Sequence, residues 1–352
     1  MTGRKPIWSL ILLLTVHYMQ AGGSTQARLD SLFDALSAGG RTMGSICISQ
    51  NGHPVYSRAI GYSVVAADHR VPASIQTRYR IASLTKMFTA VIMVQLIQEG
   101  KIDYTTTLDG YFPGLPGAKD ITIAMLLSHR SGLYNILDDP DWPTWKVQPK
   151  THEEIIAMIG RSPLAFAPGT KASYSNSNYI LLGYIIEAIC HKTYSEAVTA
   201  RILAPLGLHD TYYGGATDTI RHECYSYTYT TGWIHEPEAD MSILGGAGGL
   251  VSSPADLDRF LHALYSRKLV RTRYLAKMED ITDGYGMGLI PFSYGALTGY
   301  GHHGSIDGFS SLAEYFPGDG IALSYCSNGQ TAQVTDIVAS VVHILFDGTE
   351  LN

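Results

Sequence analysis

The sequence predicts an α/β fold of the α+β type: a mixed, mainly antiparallel sheet flanked by helices, with an inserted helical subdomain. Period-two apolar runs cluster at both ends of the chain, period-3.6 runs fill the middle, and the first pair of strand-like runs is joined by an Asn-Gly turn. No internal repeat or low-complexity linker divides the 352 residues. One folded unit is therefore expected over residues 24–352, its sheet part at about 24–82 and 241–352 and its helical part at about 83–240.

Residues 1–23 read as an export signal: Arg4 and Lys5, an apolar run Ile7–Val16, then Ala21-Gly22-Gly23 with cleavage expected near Gly23. The run is about half of the ~20 residues that span a bilayer, and no cysteine near the cleavage point offers a lipid anchor. Ala27–Ala38 has helical spacing at Leu29, Leu32, Phe33 and Leu36 and stops at Gly39-Gly40. Thr42–Ser49 and Pro54–Val65 are expected strands, and Asn51-Gly52 between them is a primed-turn hairpin signal. The helix that starts at Ser83 is apolar on nearly every side over Met87–Ile97, hence buried, and ends at Glu99-Gly100-Lys101.

Ile121–Leu133 reads as a short helix running into a loop, and Thr151–Ile159, Asn178–Cys190 and Tyr194–Ile202 carry helical apolar faces. Tyr212–Asp240 is expected to be extended or looped, and Leu244–Ser252 to be a glycine-rich stretch that leaves room for close backbone approach. Ser253-Pro254 begins a helix with serine as N-cap and proline at its first position. Strands are expected at Gly286–Ser293, Ser310–Phe316 and Ile321–Ser327, with a turn at Pro317–Gly320 and a closing helix from Thr331 to about Phe346.

A hydrophobic content of 45% suffices for a substantial core, and a net charge of −6 without a basic run argues against nucleic acid or an anionic membrane surface as partner. Cys47, Cys190, Cys224 and Cys326 allow three disulfide connectivities after export; buried free thiols are the other reading. Neither Cys-x-x-Cys nor His-Glu-x-x-His occurs, so neither metal nor cofactor is expected.

Ser83-Leu84-Thr85-Lys86 sets a hydroxyl three residues before an amine at a helix start, where positions three apart share a face. Serine attacks poorly without a base in hydrogen-bond reach, and burial supplies one by disfavouring the lysine ammonium. Tyr174-Ser175-Asn176 lies in a polar loop just before an apolar helix. A tyrosine there can exchange protons once a nearby cation lowers its pKa, and the asparagine amide can hold substrate; helix capping is the alternative. Gly301-His302-His303-Gly304-Ser305 offers small residues along which a substrate backbone can lie, or else a glycine-rich turn with solvent-facing histidines.

Ser-x-x-Lys, Tyr-x-Asn and His-x-Gly in this order resemble the serine β-lactamase and penicillin-binding protein superfamily, in particular the branch of class C β-lactamases, D-Ala-D-Ala carboxypeptidases and related esterases and D-peptidases. Leu126–Leu133, Tyr174–Gly183 and Gly245–Ser253 match that branch too, and the resemblance runs from about Leu29 to Phe346. It implies a β-lactamase-like fold, Ser83 as the acylated nucleophile, Lys86 as its proton acceptor and Tyr174 as acid to the leaving group and base in deacylation. It further implies that Asn176 orients Lys86 and the substrate amide, that His302 holds the substrate carboxylate or protonates through Tyr174, and that the amides of Ser83 and Ser305, beside Gly304, form the oxyanion hole. Class C β-lactamases have Lys-Thr-Gly where this chain has His302-His303-Gly304, which argues against efficient β-lactam hydrolysis.

The resulting expectation is a periplasmic or secreted serine hydrolase, D-Ala-D-Ala carboxypeptidase-like or a D-peptidase, acting on a small molecule or short peptide. A carboxylesterase or β-lactamase of the same fold, and a penicillin-binding sensor without turnover, are the alternatives. No membrane span is expected after signal cleavage, and the oligomeric state stays open. A Gly-x-Ser-x-Gly elbow is absent, which excludes the common α/β-hydrolase pattern.

Overall fold

The structure, a computed structural model, describes residues 24–347; the expected export signal lies outside the described residues. Helix α1 (Thr25–Ala38) starts at Ser24, whose side chain accepts the Ala27 amide. Strands β1 (Thr42–Gln50) and β2 (His53–Ile60) follow, joined through Asn51 and Gly52 at φ 51° and 83°, the left-handed pair that a two-residue primed hairpin requires. The strand expected to continue to Val65 breaks at Gly61, φ 72°, and Tyr62–Val65 pairs instead with Arg70–Pro72.

A 3-10 turn at Ala82–Leu84 leads into α2 (Thr85–Gln98), in which only Gln95 and Gln98 escape burial. Later come α3 (Asn176–Cys190), α4 (Met241–Gly248) and α5 (Pro254–Tyr265), the last capped by Ser253 Oγ on the Asp256 amide. Strands β3 (Ile290–Tyr294), β4 (Leu297–Ile306), β5 (Phe309–Phe316) and β6 (Ile321–Gln330) precede α6 (Val334–Phe346).

The six strands form one sheet in the order β3-β4-β5-β6-β1-β2, antiparallel at every pairing, so the last strand of the chain lies beside the first. On one face α1 and α6 bury Leu29, Phe33, Val338 and Val341 with Ile46, Ile48, Leu323 and Tyr325 of the sheet. The other face belongs to a larger core that contains α2, where Phe88 stacks on Phe260 of α5 with ring centroids 3.9 Å apart.

Three local expectations are corrected. A full strand, β4, stands where a sheet edge or a glycine-rich turn is expected, because its glycines are packing positions: a Cβ on Gly301 would come within 1.9 Å of the Ala313 carbonyl oxygen. The glycine-rich stretch from Leu244 is partly helical, as α4 continues to Gly248 through a kink at Gly245 (φ 45°, ψ −135°). The helix begun at Tyr194 passes into a π-turn over Thr199–Leu203. All four cysteines are free; Cys47 and Cys326 sit on adjacent strands, opposite Ser324 and Ser45 respectively.

Between α5 and the sheet, Asp258 is buried, its two oxygens facing Ser49, Ser324 and Cys47 with no close hydrogen bond. Burial pushes its carboxyl up to about 8, and Glu314 on β5, whose two oxygens accept from Tyr294 Oη at 3.1 and 3.2 Å, is pushed up to about 8 by the same cause. A carboxyl whose folded pKa is raised stabilises the fold fully below the unfolded value of about 4 and loses that contribution as pH rises towards about 8. Asp258→Asn is therefore expected to flatten the fall in stability between pH 4 and pH 8, worth on the order of 2–5 kcal/mol at the upper end. Thermal unfolding at the two pH values checks this; parallel slopes for wild type and variant would show that Asp258 is not the source.

Candidate active site

Arg80 fixes the chain that enters the site: its guanidinium donates to Ala239 O at 2.7 Å and Gly215 O at 2.9 Å and pairs with Glu238 at 2.9 Å. Two residues on, Ala82 is buried at φ 47°, a left-handed conformation costly for alanine, so the turn that presents Ser83 is held by its surroundings against local preference. Ser83 opens onto a pocket of about 270 Å³ at the head of α2, where free amides and the helix dipole favour developing negative charge.

Lys86 is fully buried, and its Nζ has three neighbours: Asn176 Oδ1 at 2.8 Å, Ala247 O at 2.9 Å and Ser83 Oγ at 3.0 Å. The first two are carbonyl oxygens and can only accept. Burial holds the amine well below its ordinary pKa, and a neutral amine has two protons for the two carbonyls and a lone pair for the Ser83 hydroxyl. The Tyr174 hydroxyl donates to Ser83 Oγ from the other side at 2.7 Å.

Tyr174 differs from expectation in one respect. Its phenol is pushed up rather than down, because burial outweighs the bond to Ser83. In the free protein it is thus a proton donor.

Asn176 is the first residue of α3, one position beyond the cap Ser175. Its amide orientation is fixed by Asn135, whose Oδ1 accepts both the Asn176 backbone amide at 2.9 Å and Nδ2 at 3.1 Å, leaving Oδ1 for Lys86. The loop carrying Asn135 is joined to the start of α3 by further bonds. Tyr134 O accepts Ser177 Oγ at 2.6 Å, Ser131 Oγ donates to Asn178 Oδ1 at 2.5 Å, and His129 Nδ1 accepts the Ser175 amide at 3.2 Å. His129 itself is buried at φ 57° with its ring 4.5 Å from that of Tyr174, and burial keeps it neutral.

His302, Gly304 and Ser305 lie on β4, not in a turn. Strand β3 pairs with β4 only as far as Gly301, so residues 302–306 have one edge open beside the pocket while the other pairs with β5. A substrate backbone can lie along such an edge. Gly304 is what lets the strand approach: a Cβ there would lie 2.4 Å from Ile81 O and 2.9 Å from Ser83 N. The His302 ring is buried with Nδ1 2.5 Å from His303 O, which makes Nδ1 the protonated nitrogen; burial, then Lys86, pushes it down to about 3. As a neutral ring it offers no charge to a substrate carboxylate.

Gly304→Ala is expected to lift β4 from the Ser83 amide and lower kcat by ~10²–10³, the loss seen when one oxyanion donor is removed. Steady-state kinetics with a p-nitrophenyl ester test this; kcat within threefold of wild type would contradict it.

The pocket's remaining walls are mostly apolar, with Leu137, Leu244, Tyr285, Ile290 and Ile306. The Trp142–Trp145 and Tyr225–Tyr229 segments are not among its lining residues. No described group of histidine, cysteine, aspartate or glutamate residues could hold a metal ion.

A model of the beta-lactamase family matches residues 29–343. The chain belongs to the beta-lactamase family. Within this family it is similar to a penicillin-binding protein of Bacillus subtilis, at 26% identity over 346 residues, covering 90% of this chain and 75% of that protein. It is 29% identical over 329 residues to a putative D-alanyl-D-alanine carboxypeptidase of Salmonella typhi, covering 78% of this chain and 75% of the other. Among solved structures, D-amino acid amidase from Ochrobactrum anthropi SV3 superposes with a TM-score of 0.81 at 27% identity, covering 92% of this chain and 99% of that one. By family, this beta-lactamase-fold chain is a serine hydrolase.

Proposed function

We propose that the protein is an exported hydrolase that cleaves peptides or amides of D-amino acids through an acyl-enzyme at Ser83. The observation that carries the reading is the pair of contacts at Ser83 Oγ, on one side a Lys86 amine whose pKa burial lowers and on the other a Tyr174 phenol whose pKa burial raises. Lys86 takes the Ser83 proton as Oγ attacks the carbonyl carbon, and the amides of Ser83 and Ser305 receive the oxyanion. Tyr174 gives its proton to the leaving nitrogen and recovers one from the Lys86 ammonium. Water then attacks the ester, with the proton path reversed, and frees Ser83.

The D-amino-acid substrate class is supported by the carboxypeptidase and amidase relatives. Export is supported by the charged and apolar character of residues 4–16 and by the penicillin-binding relative, and no helix among the described residues is long and apolar enough to cross a membrane. A second reading, a carboxylesterase, draws on the pocket itself: its described lining includes no arginine and no lysine to hold a free carboxylate.

A panel separates these readings: a D-Ala-D-Ala peptide, D-alaninamide, a p-nitrophenyl ester and nitrocefin, compared by kcat/KM. The proposal expects the D-amide or D-peptide to be turned over, and to be untouched by Ser83→Ala. Turnover of the ester alone would establish the esterase reading, and a persistent adduct without product would indicate a penicillin-binding sensor.

A further inference from the structure

Helix α4 is a wall shared by two cavities. Leu244, Ala247 and Gly248 face the Ser83 pocket, whereas Ser242, Gly245 and Gly246 face a second cavity of about 360 Å³. That volume falls within the ~300–1,000 Å³ of small-molecule sites. Its other walls include Tyr184, Tyr194, Tyr213 and His152, with the carboxylate of Glu187 and with Lys150. None of these residues is among those that line the Ser83 pocket.

The polar groups here are not all used by the fold. Tyr184 is 7% exposed, its ring stacks on His152 at 3.8 Å, and its buried hydroxyl has no hydrogen-bond partner among the described residues. Glu187 Oε1 accepts the Tyr194 amide at 2.7 Å, while the partner of Oε2 among the described residues is His152 Nδ1, at 3.5 Å. No described carboxylate lies within ion-pair distance of the Lys150 amine. An unpaired hydroxyl, a carboxylate with a spare oxygen and a lysine without a counter-ion, among aromatic rings, suit a ligand carrying both charges.

We propose that this cavity binds a small zwitterion of the free α-amino-acid class, its ammonium on Glu187 and the Tyr184 hydroxyl and its carboxylate toward Lys150, and that occupation acts on Lys86 through α4. The link is short. Gly246 O accepts Thr89 Oγ1 at 2.6 Å, the same hydroxyl lies 2.6 Å from Tyr194 Oη in the cavity wall, and the next carbonyl, Ala247 O, accepts Lys86 Nζ at 2.9 Å. Gly245, at φ 45° and ψ −135°, kinks this wall between the two cavities, a backbone state that glycine adopts readily.

Isothermal titration of D- and L-alanine into Ser83→Ala protein tests binding without any contribution from acylation, so the result stands whatever substrate the enzyme proves to have. One site per chain is expected, with alaninamide and propionate, each lacking one charge, at least tenfold weaker. Glu187→Gln, which keeps the acceptor for the Tyr194 amide, is expected to weaken alanine at least tenfold, and Ser195→Phe, which fills the cavity, to abolish binding. With wild type and a p-nitrophenyl ester, alanine is expected to change kcat at least twofold at constant KM, and not to do so in Glu187→Gln. No binding, or binding indifferent to both variants, overturns the site; an effect confined to KM, or none, overturns the link to Lys86.

Discussion

Lys86→Met is expected to reduce kcat/KM by ~10³–10⁴-fold, towards the upper part of the range for loss of a positioned general base, while the protein stays folded. Methionine fills a similar volume, but no group is then left to take the Ser83 proton, since Tyr174 is a protonated phenol held up by burial. Stability changes little because two effects oppose each other. The variant removes an amine that burial disfavours, yet strips Asn176 Oδ1 and Ala247 O of their donor, at about 1–3 kcal/mol for each buried acceptor left unpaired.

The same lysine sets the pH dependence. Its pKa is depressed, so the reactive neutral form grows as pH rises through the lowered value and then saturates. In wild type kcat/KM is therefore expected to climb and reach a plateau well below the ordinary lysine pKa of about 10.4. A Lys86→Met variant within tenfold of wild type, or a wild-type rate still rising at pH 10, would remove Lys86 from the base role.

Tyr174→Phe is the second large effect, and its sign depends on the leaving group. Phenylalanine retains the ring beside His129 and loses only the hydroxyl that donates to Ser83 Oγ at 2.7 Å. An amide nitrogen must be protonated to depart, whereas a p-nitrophenolate leaves unaided. The variant is expected to lose ~10²–10³ in kcat on a D-amino-acid amide, and at least tenfold less on a p-nitrophenyl ester, as removal of a general acid requires. Equal losses on the two substrates would mean that Tyr174 serves geometry and not proton delivery.

Much of this was legible because the signals are local. The unbroken apolar run after Lys86 has no solvent face, and it forms the buried α2 with its amine desolvated. Asn51-Gly52 supplies the two positive φ values of its turn, and Ser253-Pro254 caps α5 as its residue types require. What sequence could not convey depends on partners far along the chain. Strand β4 is disguised by glycines that exist because Glu314, Ala313 and Ile81 come close to them. The neutral states of the Tyr174 phenol and the His302 ring follow from burial by several elements at once, which no spacing expresses. Asn135 lies 41 residues from the Asn176 it orients, in a loop with no motif of its own, and the Ala247 carbonyl that holds Lys86 is a backbone atom that residue identity does not mark.

The proposed mechanism requires that Ser83 become covalently acylated. The most direct measurement is peptide-level mass spectrometry of protein mixed with a p-nitrophenyl ester and quenched in acid during turnover. The predicted result is the acyl group on the peptide containing Ser83 in wild type, a longer-lived adduct if deacylation is slowed by Tyr174→Phe, and none in Ser83→Ala. Acyl label on another residue, or undiminished turnover by Ser83→Ala, would contradict it.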